Sequence, residues 1–437
     1  RVWTPTPDKI KEINALETNG LSQDEVDDQL LALLPHGVGN THPRFFGWVH
    51  GSGTPSGILS DMVGAAINAN LGGRDQAANY VEKQVTEWVR QIFDFPQGSS
   101  GLVVSGTSLA TLIALKAARD NRRDFNNRKT GNIDGKLVGY TSIQAHSCVG
   151  RTLDILRLGT DALRKIPVND DFEMDMDALR AAIAKDKAEG FEPFVVVGTV
   201  GAVNVGSIDD IDALSDIAKA EGLWLHIDGA FGASGILSDH LRPRLSAVSK
   251  ADSLAFDFHK WLHVNYDAGF ILMRSEELHR KAFSERPDYL QGEQRGLAAG
   301  NPWPTEYGPE LSRGFRALKV WQQLAEHGTE KLGTLIDRNC AQARLLAHKV
   351  DADATMERLA PVAMNICCFR FLKVGADLDA LNREIVIRLQ EEGIAAPSTT
   401  MINGVAAIRV NITNHRNQDE DLEILPYGLR RIGADIA

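Results

Sequence analysis

Between residues 100 and 275 the chain alternates short, unbroken apolar runs with helical stretches, and this alternation restricts the fold more than any other feature. "LVVSGT" precedes a helical pattern over 108–120, "KLVGYTS" one over 146–157 and "PFVVVGTVG" one over 209–221; "LWLHIDGA", "SLAFDFH" and "GFILMR" follow. A strand with one wet face alternates apolar and polar residues. These runs do not, so both of their faces are covered. Strand–helix alternation of this kind predicts an α/β fold with a mostly parallel sheet between helical layers. Gly222, just before the "LWLHIDGA" strand, predicts the stop of the third helix.

The flanks read differently. Residues up to Gly37 are polar with scattered leucines and predict one or two helices that make no core alone. Thr41 to Gly53, "THPRFFGWVHGSG", carries too much aromatic surface for a free linker and predicts a segment that lines a site or meets a partner. Val81, Val85, Trp88, Val89, Ile92 and Phe93 recur at helical spacing and predict an amphipathic helix over 76–95. Beyond a long helix near 311–350, "NICCFRFLKV" and "GVAAIRVNIT" read as strands, while 377–393 and 418–432 read as helices. The expected division is an N-terminal segment with the pocket loop (1–60), a large α/β domain (61–345) and a small C-terminal α+β domain (346–437). The glycine- and proline-rich stretch 286–311 predicts a functional or mobile loop.

Composition narrows the function. The chain has 58 acidic and 47 basic residues, a formal charge of −11, which argues against an extended nucleic-acid surface. No apolar run approaches the roughly 18 residues of a membrane helix. Four irregularly spaced cysteines suit reduced buried thiols and a cytoplasmic protein, not a disulfide framework or a metal site. The chain opens on Arg1, so a targeting segment before it would leave no trace.

Three positions fall where a parallel sheet puts chemistry, at the carboxyl ends of strands. Ser105-Gly106-Thr107-Ser108 opens a helix and reads as an anion cradle or as an ordinary cap. Asp228 ends an apolar strand; there it needs a cationic partner or serves as a turn cap. Lys260 in "DFHKWL" follows another apolar strand and reads as an amine nucleophile or as a lysine reaching solvent. His259 and His263 are four apart without the intervening glutamate of a zinc motif, and no metal is expected. Together, an anion cradle, a strand-end acid and a strand-end lysine suit pyridoxal 5'-phosphate (PLP), with His146 in "SIQAHSCVG" able to lie over its ring.

With these residues in place, the sequence resembles the group II PLP-dependent amino-acid decarboxylases of fold type I, and among them the aromatic-L-amino-acid decarboxylases. The marks run from about Thr41 to the end: "HPRFFGW", "SGTSLATLIAL", "QAHSCV", "WLHIDGAFG", "DFHKWL", "NYDAGF" and "SRGFRALKVW". The resemblance implies a PLP-dependent transferase-like fold and decarboxylation of an L-amino acid to its amine and carbon dioxide. It implies Lys260 as the Schiff-base lysine, Asp228 beneath the pyridine nitrogen, and Ala230 and His146 on the two ring faces. Thr107, Ser108 and His259 then serve the phosphate region, with Asp257 at a cofactor-binding position where relatives carry Asn or Asp, and Thr199 lies near the ring oxygen. Trp48, Val49 and His50 line the substrate pocket. A homodimer is implied, with the N-terminal segment wrapping the partner.

The sequence departs from the family at two places. The loop tyrosine that donates a proton in aromatic decarboxylases falls at Trp303-Pro304, counting back from "SRGFRALK", and Tyr307 lies three residues on. Either Tyr307 acts from a shifted loop, or the donor is missing and dioxygen diverts the product to an aldehyde. The pocket loop reads "WVHG" where relatives carry two aromatics and Pro-Thr, so His50 adds a polar group and Val49 removes a ring. Arg409 and Arg416 read as a carboxylate clamp or as structural ion pairs. A catalytically silent scaffold is a third reading, and joint retention of Lys260, Asp228, His146 and His259 argues against it.

Overall fold

A computed structural model describes residues 1–12, 16, 18–131, 135–285 and 292–436 of the chain. Its strands are β1 (Phe45–Phe46), β2 (Ser100–Val104), β3 (Leu137–Ser142), β4 (Leu163–Ile166), β5 (Glu192–Thr199), β6 (Trp224–Asp228), β7 (Ser253–Asp257), β8 (Gly269–Met273), β9 (Met356–Arg358), β10 (Ile366–Phe371), β11 (Ala396–Ile402) and β12 (Val405–Asn411). The central sheet has the order β2-β8-β7-β6-β5-β3-β4. Its pairs are parallel except those made by β8. The exception has a local cause. A parallel return needs a crossover of a dozen or more residues, usually a helix. The link from β7 to β8 is residues 258–268, with no regular helix, so β8 must run back.

Val195, Val196 and Val197 are fully buried, as an apolar strand covered on both sides requires. Asp210 caps the helix Ile211–Glu221 by accepting from the Ala213 N–H at 3.0 Å, and Gly222 ends it at φ 66°. A buried bidentate pair ties the chain before the long helix to the sheet. Arg313 meets both Glu82 carboxylate oxygens at 2.5 and 2.9 Å and donates to the Val103 carbonyl at 2.6 Å.

The smaller sheet has the order β1-β11-β12-β10-β9. The pocket loop therefore docks on it, through β1 beside β11. The helix Ala317–Asp351 crosses the expected boundary at 345/346 and breaks at Gly328. The amphipathic helix expected over 76–95 spans Ala77–Ile92. Strands β4, β9 and β11 and the helix Met176–Ala188 have no counterpart in the sequence reading. β4 is "LRKI" at a sheet edge and β9 is three residues long, so neither has an unbroken apolar run. Residues 286–291, the start of the expected loop, lie outside the described residues.

Burial holds several histidines neutral. It pushes His226 and His263 down to about 3 and His279 to about 4. Unfolded histidine titrates near 6.5. Below that pH the unfolded chain binds protons that the folded one refuses, so stability falls as pH drops from about 6.5 toward 4. The slope reaches roughly 1.4 kcal/mol per pH unit for each histidine. Melting temperature should be level between pH 7 and 8 and fall steeply toward pH 5; a level profile down to pH 5 would refute the assignment.

Candidate active site

The sheet order makes neighbours of residues far apart in sequence. β5, β6 and β7 lie side by side, and Thr199 on β5 is in register with Asp228 on β6. Asp257 ends β7, and its N–H donates to the Ala230 carbonyl at 2.9 Å. β8 runs backward, so its first residue, Gly269, pairs with both Asp257 and Val104. A Cβ on Gly269 would lie 2.4 Å from the Gly106 Cα, so only glycine lets this strand pass the turn that follows β2. The carboxyl ends of these strands surround a cavity of about 450 Å3.

Lys260 enters this cavity with its Nζ 3.0 Å from Asp257 Oδ2. The other oxygen of Asp257 accepts the Thr107 N–H at 2.7 Å, which couples the lysine to the first turn of the helix Thr107–Arg122. His259 Nδ1 accepts from the Ala268 N–H at 3.0 Å, leaving Nε2 as its donor; burial pulls its pKa below the ordinary value. Asp228 Oδ1 accepts the Ala230 N–H at 3.1 Å. Burial raises the Asp228 carboxyl, and the Lys260 ammonium opposes that rise. His146 Nδ1 accepts from the Cys148 N–H at 3.2 Å.

The pocket loop closes one side. Trp48, Val49 and His50 line the cavity, and the rings of Phe45, Trp48 and His50 form a triangle with centroids 5.7, 5.8 and 6.1 Å apart. A Cβ on Gly51 would fall 2.2 Å from the His259 carbonyl oxygen, so glycine is what permits the loop to approach the lysine turn.

The lining thus gathers the expected Thr107, Ser108, Thr199, Asp257, His259 and Lys260 with His146, Asp228, Ala230 and the three loop residues. Tyr307 is not among the lining residues, which corrects its expected place. It follows the short turn Pro304–Glu306, its ring packs on His279 at 5.2 Å, and its hydroxyl donates to Glu276 at 2.5 Å. Trp303 is also buried, with Nε1 donating to the Ala299 carbonyl at 2.8 Å. Arg409 is buried among the carbonyls of Trp48, Val203 and Asn204, and Arg416 donates to that of Thr41. Neither arginine lines the cavity. Tyr266, Cys148 and Phe231 do line it, and the sequence reading did not single them out. Tyr266 lies within the quoted motif "NYDAGF", which was the available signal.

The residues present fit PLP. The hydroxyls of Thr107 and Thr199 are buried in the described structure without a hydrogen-bond partner. An unpaired buried hydroxyl is costly unless a ligand completes it. Thr107 sits at the helix N-terminus that would take a phosphate, and Thr199 beside the acid that would take a ring nitrogen.

A family model described as the pyridoxal-dependent decarboxylase conserved domain matches residues 7–372. An aromatic-L-amino-acid decarboxylase of Bacillus atrophaeus is 30% identical over 404 residues, covering 91% of this chain and 82% of its own. The crystal structure of the glutamate decarboxylase domain of diaminobutyrate-pyruvate transaminase and L-2,4-diaminobutyrate decarboxylase from Vibrio parahaemolyticus superposes with a TM-score of 0.87 at 27% identity, covering 98% of this chain and 89% of its own. Catharanthus roseus tryptophan decarboxylase shares the fold, with a TM-score of 0.88 at 22% identity over 99% of this chain and 92% of its own. A fold type I scaffold, a lysine and an acid at neighbouring strand ends, and a family match over most of the chain converge on one conclusion: this chain belongs to the pyridoxal-dependent decarboxylases, with PLP as its cofactor and decarboxylation of an amino acid as its reaction.

Proposed function

We propose that the chain decarboxylates an aromatic L-amino acid, as a homodimer, with Lys260 and Asp228 as its central catalytic pair. The observation that carries this is the cavity itself, which combines the lysine and the acid with the apolar walls Trp48, Val49, Val203 and Phe231. When bound, PLP supplies an aldehyde for the substrate's amine and a protonated ring that draws electrons from Cα. Lys260 would be the amine that holds the cofactor's aldehyde, and Asp257, 3.0 Å from its Nζ, would balance its charge when it is free. Asp228 would hold the ring nitrogen, a cationic partner that favours the charged form of a buried carboxylate. Thr107, Ser108 and His259 would hold the phosphate and Thr199 the ring oxygen, while Ala230 and His146 would hold the ring and His146 would orient the substrate carboxylate. Trp48, Val49 and His50 exclude water from the side-chain end.

The helix Pro55–Ile67 leaves Ile58, Leu59, Met62, Val63 and Ile67 exposed on a surface that suits a second copy. We assign 1–60 to a dimer-wrapping segment, 61–345 to the PLP domain and 346–437 to the small domain. Among the described residues no helix is long and apolar enough to cross a membrane. Four free, buried thiols support a cytoplasmic setting.

An amino-acid panel scored together for carbon dioxide, amine, hydrogen peroxide and ammonia tests the reaction. Carbon dioxide and amine in equal amounts from an aromatic amino acid are expected. Peroxide and ammonia in place of the amine would move the chain to the oxidative reading, for which the burial of Tyr307 is the favouring observation. In the same preparation, sedimentation at the mass of a single chain would remove the dimer.

A further inference from the structure

We propose that Tyr266, with His50 beside it, recognises a hydroxyl group carried on the aromatic side chain of the substrate. The proposal rests on the aromatic decarboxylase reading and deepens it. Tyr266 lies on the link between β7 and β8 that also carries His259 and Lys260. Its ring packs on His259 at 4.4 Å and meets the edge of His50 at 6.0 Å and 70°. Two polar rings thus stand together in a lining whose neighbouring walls are Trp48, Val49, Val203 and Phe231. Tyr266 is the only phenol among the described lining residues.

The surrounding structure holds this ring in place. The Tyr266 carbonyl accepts from Lys319 Nζ at 3.0 Å, and that ammonium also meets Asp61 at 3.1 Å. The next residue, Asp267, accepts from Arg316 Nε at 2.8 Å. Two cations at the start of the long helix therefore hold this segment, one at the Tyr266 carbonyl and one at the Asp267 carboxylate. His50 is held by its contacts with the rings of Phe45 and Trp48.

Protonation states decide what the pair can bind. Burial and the Asp257 charge push the Tyr266 hydroxyl up to about 12, although the Gly51 N–H opposes the shift, so it keeps its proton and donates. Burial, aided by the Lys260 charge, pulls His50 below the ordinary histidine value, so its ring is neutral and offers one donor and one acceptor nitrogen. A hydroxyl both donates and accepts, and this pair complements it. A carboxylate side chain would find no cation here: Lys260 is the only lysine or arginine among the described lining residues, and it is committed to the cofactor. An unsubstituted phenyl ring would forgo the hydrogen bonds that the half-exposed Tyr266 hydroxyl and His50 offer to a ligand hydroxyl. That difference corresponds to about tenfold in discrimination.

The test compares ligands that differ by one hydroxyl. Calorimetry on the holoenzyme measures the binding of tyramine against phenethylamine, and steady-state kinetics compares L-tyrosine with L-phenylalanine. The wild-type protein should prefer the hydroxylated member of each pair at least about tenfold, with the preference in KM and in the amine's dissociation constant more than in kcat. Tyr266→Phe should bring both ratios close to one, and His50→Leu should lower them. Equal handling of the pairs by the wild type, with carbon dioxide released, overturns the role of Tyr266 alone, as does a preference that survives Tyr266→Phe. Release of carbon dioxide from neither amino acid overturns the aromatic reading and this proposal with it.

Discussion

Lys260→Ala should abolish the visible absorbance of the holoenzyme and lower turnover by about a thousandfold or more, roughly 4 kcal/mol of barrier at 1.36 kcal/mol per tenfold. Lys260 is the one primary amine among the described lining residues, so no neighbour can take over its bond to the cofactor aldehyde. The loss should be chemical and not structural. In the variant Asp257 loses the ammonium at 3.0 Å but retains the Thr107 N–H at 2.7 Å, and the β7 strand that carries it is buried and paired on both sides. Circular dichroism and the melting temperature of the cofactor-free variant should therefore stay close to wild type. Lys260→Arg supplies the informative control: it restores the positive charge beside Asp257 without an amine of comparable nucleophilicity. Arginine should recover neither absorbance nor turnover. A variant without Lys260 that still shows the band and releases carbon dioxide at a tenth of the wild-type rate would refute the assignment.

Asp228→Asn is the second large effect, with an expected drop in kcat of about a hundredfold to a thousandfold, the range seen when one preorganised electrostatic group is removed. Asparagine keeps the shape and still accepts the Ala230 N–H that now reaches Asp228 Oδ1 at 3.1 Å. What it lacks is the charge. Burial raises the carboxyl of Asp228 and so favours its neutral form, whereas a cation beside it favours the charged one. The Lys260 ammonium plays that part in the cofactor-free protein, and a protonated ring nitrogen would take it over. A neutral amide cannot hold that nitrogen protonated, so the effect should fall on kcat and on cofactor retention during gel filtration, while KM moves less. A kcat within tenfold of wild type would show that Asp228 is a turn cap.

Legibility in the sequence followed the range of the interactions involved. Lys260 and Asp228 stood out because each follows an apolar strand within a few residues, and a strand-end position is a local property of the chain. β4, β9 and β11 escaped notice because pairing with neighbours stabilises them more than their own composition does: β11 reads "APSTTMI" and still pairs with β1 at Ala396 and Pro397 and with β12 from Ser398 to Ile402. The small domain was legible as α+β, but the sequence did not show that Phe45 and Phe46 join its sheet, a contact with residues some 350 positions away.

Tyr307 and Tyr266 make the contrast sharpest. Counting along the chain brought Tyr307 near the expected donor position, yet its place was settled by a turn at Pro304–Glu306 and by Glu276 and His279, which hold it in a different wall. Tyr266 sits in a motif noted only for its neighbours, and it reaches the cavity because β7 returns as β8 through a link too short to cross the sheet. By itself, then, the sequence determined the layered architecture and singled out the lysine, the acid and the cradle as candidates, since periodicity and strand-end position act over a few residues. Only the tertiary structure decided which distant side chains share the cavity, because that depends on strand order, on the reversal of one strand and on two close glycine contacts between separate segments.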